Sequence, residues 1–178
     1  MDKKMIVINL LGSPGAGKST TAARLFYELK MKGVKCELIT EYAKDRVFEE
    51  NMIALEDQIY IFAKQNHKHF KLKNKVNVII TDAPLVASLY YGKNLSESFI
   101  NQVKEEFNKY DNMNYYMIRK HEYESYGRLQ TEEESNEISY ELLDILSKHN
   151  IDFKKLNTDS DFLNLILNDV MLKLNMEE

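Results

Sequence analysis

The stretch that most constrains this chain is Gly12-Ser13-Pro14-Gly15-Ala16-Gly17-Lys18-Ser19, a complete G-x-x-x-x-G-K-[ST] pattern directly behind the apolar run Met5-Ile6-Val7-Ile8-Asn9-Leu10-Leu11. Glycines at these spacings let the backbone turn tightly and aim successive N–H groups inward, and a helix that follows adds the positive end of its macrodipole. Such a loop cradles phosphate. Gly12, Gly15, Ala16 and Gly17 are expected to supply its backbone, Lys18 to reach the β- and γ-phosphates, and Ser19 to take a coordination place on Mg²⁺, with Thr20 a further phosphate contact. The context agrees. From Gly17 to Lys32 the residues Ala22, Leu25, Phe26 and Leu29 recur at helical spacing, and Gly33 supplies a stop, so the pattern sits between a strand and a helix.

The chain has 178 residues, enough for one domain with a sizeable core, and 1–178 is read as a single unit. No apolar run approaches the roughly 20 residues that span a bilayer. The apolar stretch behind Met1-Asp2-Lys3-Lys4 leads straight into the phosphate loop without a small-residue cleavage site, so it reads as a core strand and implies a cytoplasmic protein. Cys36 stands alone and reads as buried and inert. A formal charge of −4 argues against a general nucleic-acid surface and leaves a local phosphate pocket open. Only four of the 24 basic residues are arginine, at 24, 46, 119 and 128, which draws attention to bidentate phosphate contacts at those positions.

After the first helix, Val34 to Thr40 reads as a second strand running into Glu41-Tyr42-Ala43-Lys44-Asp45-Arg46. In an open parallel sheet ligands gather beyond the carboxyl ends of strands, so Glu41 is expected on the side of the phosphate loop, unless it merely caps the next helix. Met52, Leu55, Ile59, Phe62 and Phe70 suggest one helix with an apolar face, and Ala54, Gln58, Ile61 and Gln65 form a second stripe that could look into a cleft. The basic stretch from Lys64 to Lys75 is expected at the sheet edge opposite the phosphate loop, where cations favour a helix C-terminus. His67 and His69 are two apart and share no helical face, which argues against a metal pair.

Val76 to Asp82 reads as a strand ending in an acid, the form of a Walker B element, and Asp82 is expected beside Ser19 on the metal side of the site. Ser96 opens a helix bearing Phe99, Val103 and Phe107, and Met113 to Ile118 makes another strand. Arg119 and an irregular stretch through Arg128 form a lid candidate, about 119–131, both arginines being expected to meet phosphate. Thr131-Glu132-Glu133-Glu134 has capping-box spacing and starts a helix whose inner face includes Ile138, Leu142, Ile145 and Leu146. Ile151 to Leu156 is the last strand, and Asn157 to Ser160 cap a final helix. The expected fold is therefore α/β, a P-loop NTPase three-layer sandwich of about five parallel strands with helices on both faces and an arginine-bearing lid.

The reaction must be argued separately. Asn108-Lys109-Tyr110-Asp111 has the form of a guanine-reading N-K-x-D, but it lies between a helix and a strand on the far edge of the sheet, and Asp82-Ala83-Pro84-Leu85 lacks the glycine of a switch. A motor ATPase usually sets a glutamate beside the Walker B aspartate, where Ala83 stands here. An ATP- and Mg²⁺-dependent phosphotransferase fits better. It needs the loop, an acid near the acceptor hydroxyl (Glu41), a metal-side acid (Asp82), an acceptor cleft and a lid. A neutral acceptor needs an orienting acid, whereas a nucleoside monophosphate needs extra cations, for which Lys44 and Arg46 are candidates.

The Gly12–Thr20 stretch, Glu41-Tyr42-Ala43-Lys44 with Val47-Phe48-Glu49, and Thr81-Asp82 together resemble the ribosylnicotinamide kinase domain of NAD salvage and related AAA-type P-loop proteins, many of them phage-encoded. The resemblance covers mainly the first half, and Lys44 stands where that family carries arginine. A looser similarity to deoxynucleoside kinases rests on Glu41, where those enzymes carry a catalytic acid, and on Gln58, on a helix that presents a base-reading glutamine. The resemblance implies that Glu41 and Gln58 touch the acceptor, that Tyr42 stacks on its ring and that Arg119 and Arg128 serve the lid. The partners expected are thus a nucleoside triphosphate and a nucleoside, nucleotide or nicotinamide riboside-like acceptor, with no membrane, nucleic acid disfavoured and a homodimer left open. The alternatives are an ATPase or nucleotide-binding regulator working with a protein partner, and a kinase of a modified base in DNA.

Overall fold

The computed structural model describes residues 4–120, 122–126, 129–158 and 161–175. Among them five strands, β1 (Ile6–Leu11), β2 (Cys36–Ile39), β3 (Val78–Thr81), β4 (Asp111–Ile118) and β5 (Lys154–Asn157), form one sheet in the order β2-β3-β1-β4-β5. All its pairings are parallel. Helices α1 (Lys18–Met31) and α8 (Phe162–Asn175) cover one face, while α4 (Gln58–Phe70), α6 (Glu97–Phe107) and α7 (Glu132–Lys148) cover the other. The result is an α/β three-layer sandwich.

The central strand explains why both faces are covered. β1 is buried at all six positions, and its alternation sends Ile6, Ile8 and Leu10 under α1 and α8 while Val7 and Leu11 face the other layer. A strand apolar on both sides has no face to offer water, which is the usual condition of a parallel sheet. Asn9 is the exception. Its side-chain amide donates to Asn112 at 2.9 Å and Asn114 at 2.8 Å on β4, so the polar group is satisfied within the sheet.

Registration sets the site. Asn9 of β1 and Ile39 of β2 both pair with Thr81 of β3, so Gly12, Glu41 and Asp82 all emerge from the same end of three neighbouring strands. Asn108 and Asp111 lie at the opposite end, where Asp111 pairs with Ile6 and forms an ion pair with Lys173. That placement removes the apparent guanine motif from any nucleotide site.

The expected helix over 52–70 is corrected by the structure. Two short helices, α2 (Tyr42–Phe48) and α3 (Met52–Glu56), precede α4, and the break falls at Asp57, whose side chain caps α4 by accepting from the Tyr60 N–H at 2.9 Å. Short polar side chains compete in this way for backbone donors and start helices rather than continue them. The expected apolar face fails with it: Met52, Ile59 and Phe70 are at least half exposed, and only Phe62 of that set is in the core. The inward side of α4 is instead Phe62, Gln65 and His69. Between β3 and α6 the chain makes a 3₁₀ turn at Leu85–Ala87 and a short helix, α5 (Ser88–Tyr91).

Candidate active site

The phosphate loop closes the carboxyl end of β1. A Cβ on Gly12 would stand 2.8 Å from the Met117 carbonyl oxygen of β4 and 3.2 Å from Ala16 Cβ, so only glycine lets the loop leave the strand here. Gly17 caps α1 with left-handed backbone and no side-chain hydrogen bond, which leaves the first-turn N–H groups directed at whatever lies above them. Helix N-termini of this kind attract anions. Lys18 Nζ arches back over the loop and donates to the Gly12 and Ser13 carbonyls at 2.8 and 2.9 Å. Ser19 and Thr20 are exposed on the first turn and line the same cleft as Gly12, Gly15, Ala16 and Gly17.

That cleft has a volume of about 480 Å³ and continues past the loop between Glu41, Tyr42 and Lys44 on one side and Asp82, Ala87, Tyr90 and Tyr91 on the other. Gln58, Ile61 and Gln65 of α4 form part of its wall, as the second stripe on that helix predicts. Gln58, the first residue of α4, donates across the Asp57 break to the Leu55 carbonyl of α3, and it lines the cleft. Gln65 plays a buried role, discussed below.

Two carboxylates, Glu41 and Asp82, line the cleft just past the ends of β2 and β3. Glu41 has its pKa raised, chiefly because burial disfavours the charged form; Lys18 opposes the shift and Asp82 adds to it. Those couplings put Glu41 in electrostatic reach of both the loop lysine and the strand-end acid. Asp82 is itself buried, and its Oδ1 has no hydrogen-bond partner. A buried carboxylate oxygen left without a donor fits a cation supplied from outside the chain. No cluster of three or more metal-ligating side chains exists among the described residues, so a Mg²⁺ ion would draw on Asp82, Ser19 and phosphate oxygens together, as that ion commonly does.

The lid side is docked on the loop. Ser135 of α7 donates to the Pro14 carbonyl at 2.7 Å, and α7 opens with the expected capping box, Thr131 and Glu134 bonding each other's backbone N–H. Arg119 does not line the cleft. Its guanidinium donates to Glu132 at 2.7 Å and Asn136 at 2.8 Å and lies 5.2 Å from the Tyr123 ring centroid, beside Gly15. Arg128, the other expected lid arginine, lies outside the described residues, as do Asp159 and Ser160 of the expected final cap. Arg46 is also turned aside, paired with Glu49 and stacked 4.8 Å over the Tyr42 ring.

The structure corrects the placing of one lysine and adds residues the sequence did not mark. Lys68, from the basic stretch expected at the far edge, donates to the Thr40 carbonyl at 2.8 Å, just past the carboxyl end of β2, while the next residue, His69, packs against Tyr110 before the start of β4. Tyr90 and Tyr91 line the cleft from a helix of four residues, too short to leave a periodic signal.

Sheet order, loop and strand-end acids together define a P-loop NTPase three-layer sandwich. A family profile described as an AAA domain matches residues 7–161, and the chain belongs to that family. Among solved structures it is similar to the thymidylate kinase of Ehrlichia chaffeensis, at 17% identity and a TM-score of 0.62 over 97% of this chain and 100% of that one. It is also similar to the NadR protein solved in complex with NR, at 18% identity and a TM-score of 0.60, over 88% of this chain and 45% of that one. No curated protein matches the sequence. Among the described residues no helix is long and apolar enough to cross a membrane.

Proposed function

We propose that this protein is an ATP- and Mg²⁺-dependent phosphotransferase that moves the γ-phosphate to a hydroxyl of an uncharged, ring-bearing acceptor of the nucleoside or nicotinamide riboside kind. The observation that carries the reading is the meeting of Glu41 and Asp82 beside the phosphate loop, with an aromatic-lined cleft continuing beyond them. One sheet and its helices reach from Ile6 to Asn175, which supports treating the chain as a single catalytic unit. Similarity to a thymidylate kinase and to the NadR protein bound to NR supports the fold this chemistry uses.

The loop N–H groups and Lys18 hold the β- and γ-phosphates in line with the acceptor. Glu41 orients the hydroxyl and takes its proton as the oxygen bonds to γ-phosphorus and the bridging oxygen leaves with ADP. Asp82 and Ser19 would hold Mg²⁺, which would supply charge neutralisation on the phosphates. The raised pKa of Glu41 makes it a stronger base once ionised than a solvated glutamate would be.

A neutral acceptor is favoured over a nucleoside monophosphate by the disposition of cations. Among the described residues Lys18 and Lys44 line the cleft, and Lys18 belongs to the triphosphate. Arg46, the other cation considered for a monophosphate, is engaged by Glu49 and Tyr42. Tyr90 and Tyr91 offer aromatic surface for a ring, beside a Tyr42 ring that carries Arg46 on one face, and Gln58 offers an amide for its edge.

The test is transfer from γ-labelled ATP to a panel of ribonucleosides, deoxyribonucleosides, their 5′-monophosphates and nicotinamide riboside. Label on a neutral panel member, lost in Glu41→Gln while fluorescent ATP still binds, supports the proposal. Label on monophosphates alone overturns the neutral acceptor. Phosphate released only to water, unchanged by Glu41→Gln, favours the ATPase reading instead.

A further inference from the structure

The ladder between β2 and β3 ends at Ile39 and Thr81, one or two residues short of the acids that matter. Beyond it the backbone groups of Thr40, Tyr42 and Ala83 have no ladder partners. One side chain of α4 meets all three. Gln65, 6% exposed, accepts from the Tyr42 N–H through Oε1 at 3.0 Å and donates through Nε2 to the Ala83 carbonyl at 3.2 Å, with the Thr40 carbonyl at 3.5 Å. Lys68, one turn along, donates to the same Thr40 carbonyl at 2.8 Å.

These contacts fall on either side of Glu41 and immediately after Asp82. We propose that Gln65, assisted by Lys68, is a positioning residue that sets the distance and orientation of Glu41 relative to Asp82. The proposal rests on the roles given to those two acids above. A carboxamide suits the task because it carries an acceptor on one arm and two donors on the other, so a single planar group spans the Tyr42 donor and the Ala83 acceptor. The same side chain seats α4, whose Ile61 and Gln58 lie one and two turns earlier on the cleft wall. Gln65 therefore ties the acceptor wall to the acids that act on the acceptor. Near-attack geometry makes such a tie consequential, since displacement by about 1 Å costs about 100-fold in rate.

The discriminating variant is Gln65→Met, which keeps length and burial and removes every hydrogen bond. The reaction followed is transfer to whichever panel nucleoside is turned over fastest, or ATP hydrolysis if none is. The expected result is a fall in kcat of about 10- to 100-fold with KM for ATP within about 3-fold, because the phosphate loop is untouched. Gln65→Glu, which still accepts from the Tyr42 N–H, should recover part of the loss. The Tyr42 amide should exchange faster in Gln65→Met and return toward the parent rate in Gln65→Glu.

A folded Gln65→Met with unchanged kcat, or with kcat and KM for ATP impaired together, overturns the proposal. If Gln65→Met does not fold, Lys68→Met decides: an unchanged kcat refutes the clamp, and a lowered kcat at constant KM for ATP supports it. Glu41→Gln separates the two readings. Transfer that survives Glu41→Gln sinks the role of Glu41 and the clamp with it, whereas transfer lost in Glu41→Gln but retained in Gln65→Met sinks the clamp alone.

Discussion

The placement of Glu41 costs stability at neutral pH, and under the proposed function this is the acid that acts on the acceptor hydroxyl. Because burial raises its pKa in the folded chain, the fold favours the protonated acid; the stability it contributes is full at low pH and lost as pH rises through the folded value. Glu41→Gln, permanently neutral, should therefore unfold at higher urea concentration than the parent at pH 8, with the difference closing in acid. The same variant should lose at least about 100-fold in transfer rate, the usual worth of a positioned base. In the parent, the acid limb of the kcat profile should lie above the ordinary glutamate range. His69 works with the opposite sign. Burial pushes its imidazole down to about 4 from 6.5, with Nδ1 against the Gln65 carbonyl and Nε2 without a partner. The unfolded chain takes a proton there that the fold refuses, so stability is full above pH 6.5 and declines toward pH 4, by roughly 3 kcal/mol over that window. His69→Phe should flatten that part of a denaturation-versus-pH curve if the protein folds, which urea melts at pH 7 and pH 5 would read.

At the scale of elements, the start of α7 joins lid and loop. Thr131→Ala removes one half of the capping box and should cost about 1 kcal/mol. For a chain of this size that is a fall in Tm of roughly 2–4 °C, measurable by calorimetry. Activity should suffer more than stability, because Ser135 on the first turn holds the Pro14 carbonyl and Arg119 is anchored to Glu132 and Asn136. Gly15→Ala tests the other side of that junction. Its Cβ would meet the Tyr123 ring at 2.9 Å with φ at +82°, so loop or lid must shift, and affinity for fluorescent ATP should drop about tenfold or more.

For the whole molecule, the sheet is the frame that brings three separate strand ends together, and β1 is its centre. Ile8→Ala, at a fully buried position under α1 and α8, should destabilise by about 2–5 kcal/mol. Phosphate binding in the surviving folded fraction should remain, since the loop lies beyond the strand. The linear pattern alone determined the phosphate loop, the Walker B form of Asp82, the capping box at Thr131 and the alternation of strands and helices. Each of these is encoded within a few consecutive residues, where backbone sterics and local hydrogen bonds decide the outcome. The continuous 52–70 helix was misread because its apolar spacing persists across Asp57, while the side chain there competes for the backbone and ends one helix to begin another. The place of Lys68 beside the carboxyl end of β2 is not legible for a related reason: charge carries no information on which strand end a helical residue packs against. The approach of Glu41 to Lys18 and Asp82, the withdrawal of Arg46 and Arg119 into ion pairs, and the bridging by Gln65 were decided only by the tertiary structure. Each depends on strand order and helix packing that bring together residues far apart in the chain, and no local spacing carries that information.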